Sequence, residues 1–460
     1  MKSKTKNSRR KKIISAALIG TVGILFVGFL LQANTLYNFK QDIIHDPIKE
    51  VQISSIISPE KQWHTTWGGA GDDLGKDVVV DSLGNIYLAG DTESYGTGGK
   101  DMVLIKYNSL GQQQWNTTWG GSEDEYGNAI VLDSFENIYI AGDTRSFGAG
   151  LSDGLLVKYN GLGEQQWNTT WGGSGEDGFI SITLDSSDNI FITGSTNSSG
   201  AGGRDMVLVK LNGSGQQQWN TTWGGTENDF GWDIALDSSE NIFVSGFTNS
   251  FGIVLFDIVL VKFNSFGQQQ WNTTWGGSHL DMVWAIVLDS ANNIFLTGFT
   301  SSFGAGSSDG LLIKYNSLGQ LQWNTTWGGS DEDSINNIAR DSSGNMYITG
   351  RTSSFGAGGT DMVLLKYNSL GQKQWNTTWG GSGDETGYGI ALDSSENIYL
   401  AGNTDSYGAG SKDIVLIKYG KGQADNGSQP IPGYDLFLLL GGISIISAII
   451  IKKLHKSKVT

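Results

Sequence analysis

The chain has no cysteine among its 460 residues. That excludes disulfides, thiolate metal centres and cysteine nucleophiles. Histidine is nearly as scarce, with four copies at positions 45, 64, 279 and 455, far apart in sequence. Helical apolar spacing sustained over three turns is missing from the middle of the chain, and so is an EF-hand loop of the D-x-D-x-D-G type. Basic residues are few and badly distributed. Residues 1–12 and 452–460 carry 11 of the 30 Lys and Arg and no acid. Residues 13–451 therefore hold 19 basic against 46 acidic residues, a net charge of −27. Such a surface repels nucleic acid, because phosphate binding needs clustered Lys and Arg. It keeps the molecule soluble and attracts cations.

What is abundant is repetition. A 52-residue unit occurs seven times without insertion or deletion. Its opening tryptophan falls at Trp63, Trp115, Trp167, Trp219, Trp271, Trp323 and Trp375, and a second follows four residues later, from Trp67 to Trp379. A period near 50 residues signals a solenoid, propeller or array. Glycine, 67 residues in all, recurs at fixed turn positions, so it is not low complexity.

One unit contains four short strand-like runs bounded by turn residues. In the copy beginning at Trp115 they are NAIVLD, NIYIAGDT, DGLLVKY and QQWNTTW. Four antiparallel strands in such a unit make one propeller blade, so the chain is read as an all-β, seven-bladed β-propeller over residues 60–419. The last copy ends its third strand at Tyr419 with no fourth, and an orphan fourth strand, residues 62–67, precedes the first copy. That N-terminal strand is expected to complete the last blade, which removes the open sheet edges. Alternation along a strand puts both tryptophans of a copy on one face, and that face is assigned to packing between blades. Trp232 and Trp284 alone fall outside this pattern; both enter first strands. Asp133 and Asn137 recur at the turn between first and second strands, where short polar side chains bond their own backbone.

The pattern I-x-L-D-S-x-x-N-I-Y-x-x-G-x-T, D-x-x-L-x-K-Y-N-x-x-G and W-x-x-T-W-G-G resembles the SBBP repeat, a β-propeller repeat of secreted bacterial and archaeal proteins. The resemblance covers residues 60–419. It implies an extracellular setting and no particular reaction.

The ends read as membrane segments. Residues 1–12 are a basic cytoplasmic segment, and 13–32 a transmembrane signal anchor or signal peptide: 19 residues from 13 to 31 carry no charge, enough to span. Residues 33–59 are a linker. The basic flank keeps the N-terminus inside and the propeller outside the cell. Residues 420–434 form a Gly/Ser/Pro linker, 435–451 a transmembrane helix or sorting signal, and 452–460 a basic cytoplasmic tail. A short motif at Pro432, Gly433, Tyr434 and Asp435, an apolar helix and a basic tail resemble archaeal CTERM sorting signals. That resemblance implies removal of the tail and replacement by an anchor; the alternative is a plain second membrane helix.

An acid recurs at one position in all seven copies: Asp73, Glu125, Asp177, Asp229, Asp281, Asp333 and Glu385. Its place is expected in the loop leading to each first strand, near the channel mouth. Such a ring has the chemistry for Ca²⁺, which takes six to eight oxygens. The competing reading is that each acid caps its own Gly-Gly turn. WNTTW places an N-x-T glycan acceptor at Asn116, Asn168, Asn220, Asn272, Asn324 and Asn376. G-x-S-x-G occurs at 150–154 and 306–310, but where a loop enters a strand, not at the strand-to-helix turn of a nucleophile elbow. Symmetry is broken most visibly at Ile253, Val254, Leu255 and Phe256, which replace small residues. Grouped apolar residues at a surface mark partner contacts.

Together these features describe a non-catalytic, membrane-anchored propeller on the extracellular side, binding or scaffolding a protein or glycan at the cell surface. The alternatives are a metal-dependent enzyme at the channel mouth, expected to bring non-repeated polar residues together there, and a purely structural protein.

Overall fold

The computed structural model describes residues 58–253 and 255–420. These form twenty-eight strands in seven four-stranded antiparallel sheets. The first blade consists of β2 (Asp73–Val80), β3 (Ile86–Thr92), β4 (Asp101–Tyr107) and β5 (Gln113–Trp119), in that order from the axis outward. The last is built from β26 (Glu385–Leu392), β27 (Ile398–Thr404), β28 (Asp413–Tyr419) and β1 (Lys61–Trp67). The orphan N-terminal strand thus closes the ring, pairing Thr65 with Leu416 and Trp67 with Ile414.

Burial explains the order of strands. Every residue of β3 and of β27 is buried, whereas the outermost strands show alternating exposure. The apolar core is not one mass but seven clusters, each lying between two neighbouring blades. In one of them Ile86, Leu88 and Val103 of the first blade meet Tyr399, Ile414 and Leu416 of the last, with Trp63 and Trp67 at its edge. The repeated tryptophans therefore pack between blades. Trp115 meets Tyr87 with ring centroids 6.2 Å apart, and Trp119 meets Phe147 of the next blade at 5.1 Å. Lys106 Nζ sits 4.8 Å above the Tyr87 ring, a cation–π contact repeated around the ring.

The turns follow the expected chemistry. Asp81 Oδ1 accepts from the amides of Leu83 and Asn85, and Asn85 Nδ2 donates to Asp81 Oδ2 at 2.7 Å. The left-handed residue of this turn is the one before the asparagine, Gly84 (φ +83°) or Glu136 (φ +62°).

The recurrent acid is not in a loop. It is the first residue of each inner strand, from Asp73 of β2 to Glu385 of β26. Among the described residues no helix is long and apolar enough to cross a membrane. The two segments read as membrane-spanning, 13–32 and 435–451, and the sorting motif at 432–435 lie outside the described residues.

Candidate ligand site at the mouth of the central channel

The inner strands of the remaining blades are β6 (Glu125–Leu132), β10 (Asp177–Leu184), β14 (Asp229–Leu236), β18 (Asp281–Leu288) and β22 (Asp333–Arg340). All seven inner strands carry the same irregularity. The register with the second strand slips by one residue, between Gly75 and Asp77 in β2 and between Gly387 and Gly389 in β26. A β-bulge of this kind leaves one residue unpaired and re-aims side chains. The unpaired residues are Lys76, Asn128, Ile180, Trp232, Trp284, Asn336 and Tyr388, and all seven border one cavity of about 420 Å³. That volume falls in the range of about 300–1,000 Å³ typical of small-molecule sites.

The cavity breaks the sevenfold symmetry. The threonine closing each second strand is the same in every blade, from Thr92 to Thr404, while the bulge position carries Lys, Asn, Ile, Trp and Tyr. One wall is aromatic. Trp232 and Trp284 meet edge to face with centroids 4.7 Å apart, and Phe247 packs on Trp232 at 5.4 Å. Phe230, Phe256 and Phe299 continue the cluster, at 4.9 Å from Phe247, 5.2 Å from Phe247 and 5.8 Å from Trp284 respectively. The Trp284 indole N–H donates to Ser334 Oγ at 3.1 Å, which fixes its ring.

The other wall is polar. Asn128 donates to Asp143 and to the Phe179 carbonyl, and Asn336 donates to the Gly387 carbonyl. Lys76 Nζ lies 3.8 Å from the buried Asp91 and 5.2 Å above the Tyr388 ring. Arg351 borders the cavity from the second strand of its blade and is exposed. Asp77 and Asp233 are half-buried by surface but lie deep inside the ring of inner strands. Their oxygens hold neighbouring main chain: Asp77 accepts from Val78 N and Ile130 N, Asp233 from Ile234 N, Ile286 N and Ser181 Oγ. Burial pushes Asp77 up to about 7 and Asp233 up to about 6, and the nearby Asp233 charge raises Asp77 further.

The seven recurrent acids are elsewhere. Asp73 is fully buried; Oδ2 accepts from Gly69 N at 2.8 Å and Ser94 Oγ at 2.7 Å, and Oδ1 from Thr92 Oγ1. Glu125, Asp177, Asp229, Asp281, Asp333 and Glu385 repeat this, each holding the amide of its own Gly-Gly turn at 2.6–2.8 Å. None of the seven borders the cavity. Among the described residues no group of three or more His, Asp or Glu is arranged to hold a metal ion.

The stretch at 253–256 divides. Ile253 and Leu255 are exposed, while Phe256 turns into the aromatic cluster against Phe230 and Phe247. Val254 lies outside the described residues. Asn116, Asn168, Asn220, Asn272, Asn324 and Asn376 have exposed side chains on the outermost strands. Ser152 of the first G-x-S-x-G sits near Asp143, with Oγ–Oδ2 at 3.4 Å.

Sequence reasoning noted Trp232 and Trp284 as exceptions but did not place them together. The signal was in one column: the position of Lys76 carries Lys, Asn, Ile, Trp, Trp, Asn and Tyr in the seven copies, among inner-strand positions that otherwise build the blades.

The model of the SBBP beta-propeller repeat matches residues 62–96, 318–356 and 374–408. The chain is similar to an uncharacterized WD repeat-containing protein of Acanthamoeba polyphaga mimivirus, 21% identical over 459 residues, covering 72% of this chain and 33% of that protein. It is also similar to the regulatory protein FlaEY of Caulobacter vibrioides, 24% identical over 170 residues, covering 32% of this chain and 18% of that protein. The chain thus spans a third or less of either relative's length. Among solved structures, the Neurospora crassa Pan2 WD40 domain aligns with a TM-score of 0.44 at 7% identity, over 75% of this chain and 89% of that one. The polysaccharide lyase Uly1 aligns at 0.43 and 11% identity, over 75% and 90%.

Proposed function

We propose that this protein is a non-catalytic binding or scaffolding module, tethered at the cell surface, which takes a protein or glycan partner at the mouth of its central channel. One observation carries the reading. The bulge position differs in side-chain chemistry among the seven inner strands, and all seven of its side chains line a single cavity. Exposed loop columns vary too, such as that of Glu93 and Arg145, but the bulge column varies on the inner strands, beside core columns that hardly change. The SBBP repeats and the likeness to a WD repeat-containing protein support an interaction role. Tethering is supported by the apolar, charge-flanked segments at 13–32 and 435–451.

The test uses the full chain on intact cells. Surface protease should remove the propeller, and the double variant Trp232→Ala, Trp284→Ala should lose partner adhesion while the protein stays folded. Adhesion undiminished in the double variant would sink the channel as the contact site. A propeller shielded from protease until the cells are opened would sink the external placement.

A second reading has its own observation. Asp77 and Asp233 are non-repeated carboxyls at the cavity, both raised towards neutrality, and such groups suit acid–base chemistry. Turnover of an extracellular polymer that vanishes in Asp233→Asn would favour an enzyme.

A further inference from the structure

The two walls of the cavity select for a particular kind of ligand. We infer that the channel mouth takes an anionic saccharide, with a sugar ring against Trp232 and Trp284 and its acidic group against Arg351. This rests on the reading of the channel mouth as the binding site.

The aromatic wall calls for a ligand with a flat, weakly polar face. A pyranose ring has one, formed by its axial C–H bonds, and presents hydroxyls around its rim. The Trp232–Trp284 pair, backed by Phe247, is a large apolar surface that is already held in place. A wholly apolar ligand would leave the polar wall without partners, which is costly for groups taken out of water. A sugar satisfies both walls at once.

The sign of charge follows from which ionic groups are already engaged. Asp77 and Asp233 spend their oxygens on main-chain amides of their own strand and of a neighbouring one. The Tyr388 ring, one face suited to a cation, is occupied by the protein's own Lys76. A positively charged ligand would therefore find its partners taken and would face Lys76 and Arg351. Among the described residues the Arg351 side chain has no ion pair or hydrogen bond, and its guanidinium offers a planar fork for a carboxylate or sulfate. The cavity, at about 420 Å³, is large enough for sugar rings and too small for a folded domain.

The experiment measures binding of three probes to the full chain in detergent by calorimetry and saturation-transfer NMR. The probes are the trimer of galacturonic acid, its methyl ester, and the trimer of glucosamine. The acid trimer should bind, with saturation transfer strongest at the C–H protons of one ring. The methyl ester, which keeps the shape and removes the charge, should bind about tenfold more weakly, as expected for loss of a charge-assisted pair. The glucosamine trimer should be weaker still. Arg351→Ala is exposed in the fold and should reduce the acid trimer to the affinity of the ester without moving the melting temperature. Trp284→Ala should weaken acid and ester alike. Equal binding of acid and ester, preference for the glucosamine trimer, or unchanged binding in Arg351→Ala would each overturn the inference. If all three probes fail while the double tryptophan variant still abolishes partner adhesion, the saccharide is wrong and the channel reading stands. If adhesion also survives that variant, the channel reading itself falls.

Discussion

Gly111, in the turn between the third and outermost strands of the first blade, presents its bare Cα to the indole of Trp63, which belongs to the last. A Cβ on Gly111 would stand 2.9 Å from Cε3 and Cζ3 of that ring, and its φ of +77° already disfavours a side chain. The contact recurs at Gly163 with Trp115 and at Gly267 with Trp219, but only here does it join the two ends of the ring. Trp63 lies on β1, the one outermost strand of the ring that no turn joins to its neighbour, since its partner β28 lies at the other end of the propeller sequence.

That difference is measurable. Replacing a fully buried tryptophan by alanine costs about 3–5 kcal/mol, and these tryptophans are half-buried, so about 2 kcal/mol is expected for Trp219→Ala. Trp63→Ala should cost more, because β1 has no hairpin to hold it on β28 and its loosening opens the ring. Gly111→Ala should cost roughly 1–3 kcal/mol through strain and overlap with the ring. Urea unfolding of the three variants ranks them. Equal losses for Trp63→Ala and Trp219→Ala would mean that ring closure contributes nothing beyond ordinary packing.

The recurrent acids make a second prediction. Asp281 satisfies the Gly277 amide, Thr300 and Ser302 together. Asp281→Ala leaves several buried donors unpaired, at about 1–3 kcal/mol for each one water does not reach. Thermal unfolding should show this loss, and should show the same melting temperature with Ca²⁺ and with a chelator. A rise with Ca²⁺ would mean that the native state binds the ion, and the loss of that rise in Asp281→Ala would assign it to this position.

Much of this architecture was legible in the chain. The spacing of Trp63, Trp115 and their successors gave the number of blades, and the missing strand after Tyr419 gave the closure, because both depend only on local pattern and on the need to leave no edge open. The cavity was not legible. A bulge is invisible to an alternating pattern, and the slip between Gly75 and Asp77 is what turns Lys76 towards the axis. The acids were misplaced for a related reason. Glu125 follows a Gly-rich loop and reads as part of it, yet it pairs with Thr144 across the blade, which makes it the first residue of a strand.

Stability should fall as pH rises from 5 to 8. Burial pushes the carboxyls of Asp77, Asp143 and Asp233 up to about 7, 6 and 6, from an ordinary value of 3.8. Between those values the folded protein carries more protons than the unfolded chain, so raising the pH favours unfolding. The contribution of these groups is complete below their unfolded value and is lost as pH passes through the folded ones. His64 works in the opposite sense, since burial and then Lys61 lower it, but it is exposed and screened. Melting temperatures at pH 5 and 8 check the sign, and Asp233→Asn should flatten the profile. A melting temperature that does not fall between pH 5 and 8 would show that these carboxyls ionise near their ordinary value in the folded state.

The stretch at 253–256 gives two neighbouring residues different fates. Leu255 is exposed, so Leu255→Ser, like Ile253→Ser, removes apolar surface from the rim and should leave the melting temperature unchanged. Phe256 is half-buried and meets Phe230 at 5.8 Å and Phe247 at 5.2 Å, both edge to face. Such aromatic pairs contribute about 0.5–1.5 kcal/mol beyond area burial, so Phe256→Ser should destabilise by about 1–2 kcal/mol. Because Phe247 supports Trp232, Phe256→Ser should also weaken ligands of the cavity, and Leu255→Ser should not. If the partner engages the rim, Leu255→Ser lowers adhesion at constant stability. If it engages only the channel, Phe256→Ser alone lowers it. Adhesion and melting measured side by side on these two variants therefore separate a contact outside the cavity from one within it.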